Sequence, residues 1–113
     1  MAPGEIYLAR FRYGGSPGMK LRPVLLLTGP VGTVPEVLVA HISSVRPTTP
    51  LPSDILLDPT QAQHAGTNLK TISVLRLHKL ATIHVTSLKR HLGALPNATL
   101  DTVSEKLKAM LGV

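Results

Sequence analysis

Lys20-Leu21-Arg22-Pro23-Val24-Leu25-Leu26-Leu27 sets two cations directly ahead of an unbroken apolar run. Proline disfavours the helical region for the residue before it, so Arg22 is held extended, and the run from Val24 reads as a buried strand rather than a helix. The guanidinium therefore stands on stiff backbone at the mouth of a central strand. Taken alone, Arg22 is a solvated strand-end charge; in company it is a fixed receptor for an anion.

Working outward, the chain keeps offering short strands. Glu5 to Tyr13 is β-prone, with Ile6 and Leu8 on one face and Phe11 on the other parity, which predicts one strand bent or bulged near Ala9. Gly14-Gly15-Ser16-Pro17-Gly18 joins it to Lys20 and reads either as a plain hairpin connection or as a flap over an anion site. After the turn-rich stretch from Gly29 to Pro35, Glu36 to Ser44 is a strand whose alternation puts Leu38, Ala40 and Ile42 on one face and Val39, His41 and Ser43 on the other. His41 and Ser43 should look out together.

Prolines 47, 50, 52 and 59 flank a short strand, Ile55-Leu56-Leu57, bracketed by Asp54 and Asp58, and Gln61 to Thr71 reads as loop. In Ser73-Val74-Leu75-Arg76-Leu77-His78 the parity directs Leu75 and Leu77 to the core and Arg76 and His78 the other way. Two strand residues span about 6.6 Å, enough for one phosphate and its ribose between those side chains. An Arg-x-His pair on an exposed face is as readily a plain polar surface. Lys79 to Ile83 continues or restarts a strand, and Thr86 to Arg90 reads as one helical turn. A helix from about Ala98 to Leu111 closes the chain, capped by Asn97 or Thr99 and striped by Leu100, Val103, Leu107 and Leu111. Asp101 near its start and Lys106 and Lys108 near its end suit the helix dipole. Short strands, frequent turns and one terminal helix predict a mainly β fold with a C-terminal α-helix, a small bent sheet or barrel.

Composition narrows the function classes. The 113 residues make one domain, 1–113, with 43% hydrophobic and 16% charged residues, and no cysteine, so disulfides, thiolate nucleophiles and cysteine-based zinc sites are excluded. No basic start with an apolar core opens the chain and no run is long enough to cross a bilayer, which sets the expectation of a cytoplasmic protein without membrane contact. Twelve Lys and Arg against six Asp and Glu give +6 and point to a polyanionic partner. Only three aromatic residues, Tyr7, Phe11 and Tyr13, argue against a base-stacking platform. Histidines 78, 84 and 91 lack the spacing of a helical zinc motif, so neither a metal nor another cofactor is expected. No phosphate loop and no nucleophile elbow is present.

The blocks Gly4-Glu5-Ile6-Tyr7-Leu8, Leu21-Arg22-Pro23-Val24-Leu25, Val39-Ala40-His41-Ile42-Ser43-Ser44 and Ser73 to Ile83, in that order and spacing, resemble the MazF/PemK-like toxins of bacterial type II toxin–antitoxin systems. The resemblance implies an SH3-like β-barrel, a homodimer, and a metal-independent, sequence-selective endoribonuclease that attacks with the ribose 2′-hydroxyl, leaving a cyclic phosphate and a 5′-hydroxyl. It also implies an antitoxin presenting an acidic segment. The family's arginine falls on Arg22 and its strand-end hydroxyl on Ser43; an Arg-x-Asp pair of one subgroup falls on Arg76 and His78. The imidazole departs from that pattern but is a competent base near neutral pH. The implied catalytic set is Arg22, Ser43, Arg76 and His78, with His78 as base and Arg76 as acid or phosphate ligand. Those two roles are exchangeable, and His41 is the next candidate base. Lys20, His41 and Lys79 are the expected RNA contacts. The competing class is a basic barrel that binds nucleic acid, or poisons DNA gyrase, and cuts nothing.

Overall fold

A computed structural model describes residues 1–11 and 20–113, with the Phe11 side chain left aside. The expected Gly14–Gly18 loop lies outside the described residues. Six strands, β1 (Glu5–Phe11), β2 (Lys20–Leu26), β3 (Glu36–Ser43), β4 (Asp54–Leu57), β5 (Ser73–His84) and β6 (Leu88–Ala94), precede a C-terminal helix, α1 (Asn97–Leu111). They form one antiparallel sheet in the order β4-β5-β3-β2-β1-β6. The mainly β fold with a terminal helix stands as expected, as a barrel-like sheet with β4 and β6 at its two ends.

The alternation read from the sequence sorts the core. Ile6, Leu25 and Ala40 are direct cross-strand partners, and they join Ile42, Leu57, Leu75 and Leu77 in a cluster closed by Val103 of the helix. The opposite parity, Ala9, Val24, Leu26, Val37, Val39 and Ile83, builds a second cluster on the other face. Leu25, Leu57, Leu75 and Leu77 are fully buried, each contributing roughly 1.5–3 kcal/mol by leaving water. The sheet thus has two apolar faces.

Two irregularities bend it. The register between β1 and β6 shifts between Ile6 and Tyr7 and again between Leu8 and Ala9, but the extra residues, Leu92 and Lys89, are on β6, and β1 pairs with β2 without a break, so the bulge expected in β1 near Ala9 belongs to its neighbour. On β5, Ala40 of β3 pairs with Leu80 but the next residue, His41, pairs with Arg76, so Leu77, His78 and Lys79 form a bulge of excess length.

Several expectations are corrected. Gln61 to Thr71 is not all loop: residues Ala62–Thr67 form a 3₁₀ turn whose His64 and Thr67 are buried. Thr86 to Arg90 is not helical beyond Ser87. His84 Nδ1 accepts from the Thr86 backbone N–H at 3.1 Å, which closes a three-residue turn, and Leu88 onward pairs with β1 instead. The helix starts at Asn97 with Pro96 as its cap residue, its carbonyl accepting from both Thr99 and Leu100 at 3.0 Å, and there is no side-chain cap because the proline ring has no acceptor. Leu100 and Leu107 pack on the core, whereas Leu111 is exposed. Among the described residues no helix is long and apolar enough to cross a membrane.

Candidate functional site

One transverse row crosses all six strands. His91 pairs with Tyr7, Tyr7 with Val24, Val24 with His41, His41 with Arg76, and Arg76 with Asp54. Cross-strand partners share a face, and the side chains at both ends show it. The His91 and Tyr7 rings meet edge to face with centroids 5.1 Å apart, and Arg76 Nε lies 3.0 Å from Asp54 Oδ1. His41 occupies the middle of this row, half-buried. Alternation along β2 and β3 puts Arg22 on the face of Val24, and Ser43 on the face of His41.

Electrostatics follow from that placement. Burial, aided by Lys79, Arg22 and Arg76, lowers the His41 pKa from 6.5 to about 4, so the ring is neutral at neutral pH. Ser43 Oγ accepts from the Val45 N–H at 3.1 Å and donates to the Val45 carbonyl at 3.3 Å. Its hydroxyl is oriented by its own strand end.

Arg22, His41 and Ser43 line a single cleft of about 910 Å³, together with Lys70, Arg90 and His91. No carboxylate is part of that lining. Ion pairs among the described residues engage Arg76, His91 and the N-terminus but none of Arg22, Lys70 and Arg90. The His91 ring is 3.1 Å from Glu5 Oε2, whose carboxyl is held below its usual range chiefly by the Ala2 backbone N–H. Three cations therefore line one cleft with no ion-pair partner among the described residues.

The remaining expected residues sit outside the lining. Arg76 is largely buried, with its Nε spent on Asp54, and bears on His41 through charge. His78 and Lys79 are exposed on the β5 bulge, Lys79 close enough to His41 to bear on its charge. Lys20 is exposed at the first residue of β2. Lys70 and Arg90 were not singled out from the sequence. The Lys89-Arg90-His91 run was their signal, obscured by the helical reading of that segment, while Lys70 follows a turn taken for loop. Among the described residues no three His, Cys, Asp or Glu converge as a metal site would.

Comparison with known proteins adds a family. The family model for PemK-like, MazF-like toxins of type II toxin–antitoxin systems matches residues 2–111. Among solved structures, the Mycobacterium tuberculosis toxin MazF-mt6 superposes with a TM-score of 0.74 at 25% identity, covering 96% of this chain and 97% of that one. An endoribonuclease from Mycobacterial species gives 0.71 at 19% identity over 100% of this chain and 92% of its own. A Mycobacterial endoribonuclease in complex with its cognate antitoxin gives 0.67 at 21% identity, over 100% and 96%. These last two speak to the fold alone. No curated protein sequence matches.

Proposed function

This chain belongs to the PemK-like, MazF-like toxins of type II toxin–antitoxin systems, and from that premise we propose that it is an endoribonuclease cutting single-stranded RNA by attack of a ribose 2′-hydroxyl on the adjacent phosphate. The observation that carries the reading is the cleft: Arg22, Lys70 and Arg90, unpaired by any carboxylate among the described residues, beside a neutral imidazole and an oriented hydroxyl. A phosphodiester strand balances such a surface.

In the proposed step the 2′-oxygen forms a bond to phosphorus while the bond to the 5′-oxygen breaks. Negative charge grows on the non-bridging oxygens. Arg22 is assigned to receive it, joined by the Ser43 hydroxyl once its proton turns from the Val45 carbonyl to the phosphate, and each such donor is worth on the order of 3 kcal/mol in comparable sites. His41, neutral and on the same face as Arg22 and Ser43, takes the 2′ proton. A free-state pKa of about 4 makes a weak base, but an arriving phosphate offsets the cations that depress it and so raises its basicity. Arg76 then serves by its charge, the leaving 5′-oxygen takes its proton from water, and His78, exposed on the bulge outside the cleft, is the alternative base. The chemistry needs no metal. The resulting ends are a 2′,3′-cyclic phosphate and a 5′-hydroxyl.

The protein partners follow the family: an antitoxin with an acidic extended segment competing for the same cations, a second copy of the chain in a homodimer, and a cytoplasmic setting. The test is digestion of a long defined RNA in EDTA with chemical mapping of the ends, wild type beside Arg22→Ala. Recurrent cuts with cyclic phosphate and 5′-hydroxyl ends, lost in the variant, support the reading. Intact RNA that the protein nonetheless binds would establish the non-catalytic binder instead.

A further inference from the structure

Lys70 and Arg90 come from segments 20 residues apart in sequence, and one short clamp brings those segments together. The Asn68 side chain donates Nδ2–H to the Leu92 carbonyl at 2.6 Å. Lys70 lies two residues after one end of that bond and Arg90 two residues before the other. Next to it the backbones close further, since a Cβ on Gly93 would stand 2.1 Å from the Gly66 carbonyl oxygen. Asn68 itself takes a left-handed φ of 55° to leave the 3₁₀ turn and enter this clamp.

The segment carrying Lys70 is anchored from behind as well. His64, buried, accepts the Asp58 N–H on Nδ1 at 3.4 Å and meets Thr99 Oγ1 of helix α1 through Nε2 at 3.3 Å. The buried Thr67 hydroxyl donates to the His64 carbonyl at 2.7 Å and accepts from the Leu69 N–H at 3.4 Å. An ammonium and a guanidinium lining the same cleft repel each other, and neither is ion-paired to a carboxylate among the described residues. The clamp holds the two backbones side by side, and an anion between the cations they carry relieves the repulsion.

We infer that Lys70 and Arg90 form a second phosphate site in the cleft, binding a phosphate of the RNA strand other than the one being cut. Arg90 pairs with Leu8 whereas Arg22 pairs with Ala9, so by alternation the two arginines leave opposite faces of the sheet. The strand that reaches both runs over the end of the sheet past Leu21, Pro23 and Val45, all of which line the same cleft. The site grips backbone and reads no base, and it rests on the ribonucleic-acid reading of the cleft.

The test is binding, not cleavage: fluorescence anisotropy of a labelled 2′-O-methyl RNA oligonucleotide across a salt series, for the full-length protein. Lys70→Ala and Arg90→Ala should each flatten the slope of log K against log salt by about 0.7, the value for one lost phosphate contact on a single strand. Lys108→Ala, in the last turn of the helix and outside the cleft, should leave the slope unchanged, and Lys70→Arg should restore it. An equal change in Lys108→Ala, or no change at Lys70 and Arg90, overturns the site. So does a loss of affinity confined to an acidic peptide, which would make this wall a protein contact. If wild-type protein binds with the predicted slopes but leaves cleavable RNA intact, the site stands and the nuclease reading falls.

Discussion

His41 and Arg76 face each other as direct partners across β3 and β5, at the step where β5 departs from regular pairing. Burial of the His41 ring, with smaller contributions from Lys79, Arg22 and Arg76, sets a titration. Folded His41 has a pKa of about 4 against an ordinary 6.5, so as pH falls the unfolded chain takes up its proton first. The stability this lends is complete above pH 6.5 and drains away toward pH 4. Thermal unfolding scanned over that window should show a fall in wild type that is reduced in His41→Gln; parallel curves would mean that His41 does not titrate this way.

Ligand binding should reverse the part of that shift due to charge, though not the larger part due to burial. A phosphate strand in the cleft offsets Arg22, so the His41 pKa rises in the complex and binding takes up a proton. Affinity for the non-cleavable oligonucleotide should increase as pH drops from 6.5 toward 4, with the His41 ring resonances reporting the higher pKa. Identical resonance titrations in free and bound protein would place the phosphate away from His41.

Arg22→Ala should reduce cleavage by about 10²–10³-fold, the cost of one lost oxyanion donor. The fold should be retained, since the side chain is only half-buried at a strand end and enters no ion pair among the described residues. Single-turnover rates beside a denaturation curve separate the two. A normal rate removes Arg22 from the chemistry.

Arg76→Ala tests a different mechanism. Its partner Asp54 is 5% exposed and also accepts the Leu51 N–H at 2.8 Å, so truncation leaves a buried carboxylate without its cation. About 3 kcal/mol of stability should be lost in urea unfolding. Any loss of activity in that variant must be read against the lost structure, and Asp54→Asn shows which part is structural.

Gly93→Ala should be among the most damaging single-methyl additions in the chain. The new Cβ would lie 2.1 Å from the Gly66 oxygen and 2.9 Å from the Thr67 carbonyl carbon, both backbone atoms with no rotamer to yield. Destabilisation of at least about 3 kcal/mol is expected from overpacking of this kind, measured by denaturant midpoint. A near-neutral result would mean that the 3₁₀ turn can move off β6.

What the sequence made legible was whatever alternates. The parity of His41 with Ser43, the extended Arg22, the core pair Leu75 and Leu77, and the helix stripe of Leu100, Val103 and Leu107 all follow from period-two or period-3.6 patterns. β6 did not, because Lys89-Arg90-His91 offers three polar residues in a row on an edge strand and so hides the period. The 3₁₀ turn was hidden for another reason: it is held by buried polar groups, His64 and Thr67, rather than by an apolar stripe. The site was half visible as a result. Arg22, His41 and Ser43 could be read from strand faces, whereas Lys70 and Arg90 meet only through a side-chain clamp between distant segments.

The excess length in β5 carries one more consequence. Ser73 to Arg76 is bound to β4 and the end of β3, while Leu80 to His84 is bound to the start of β3. Leu77, His78 and Lys79 lie between these two anchored stretches, so β5 behaves as two strands spliced end to end. Leu77 ties the splice into the core, which leaves the exposed His78 and Lys79 as its variable part. The reach of its exposed cation toward His41 is therefore a length that can be retuned by insertion or deletion while both cores keep their register.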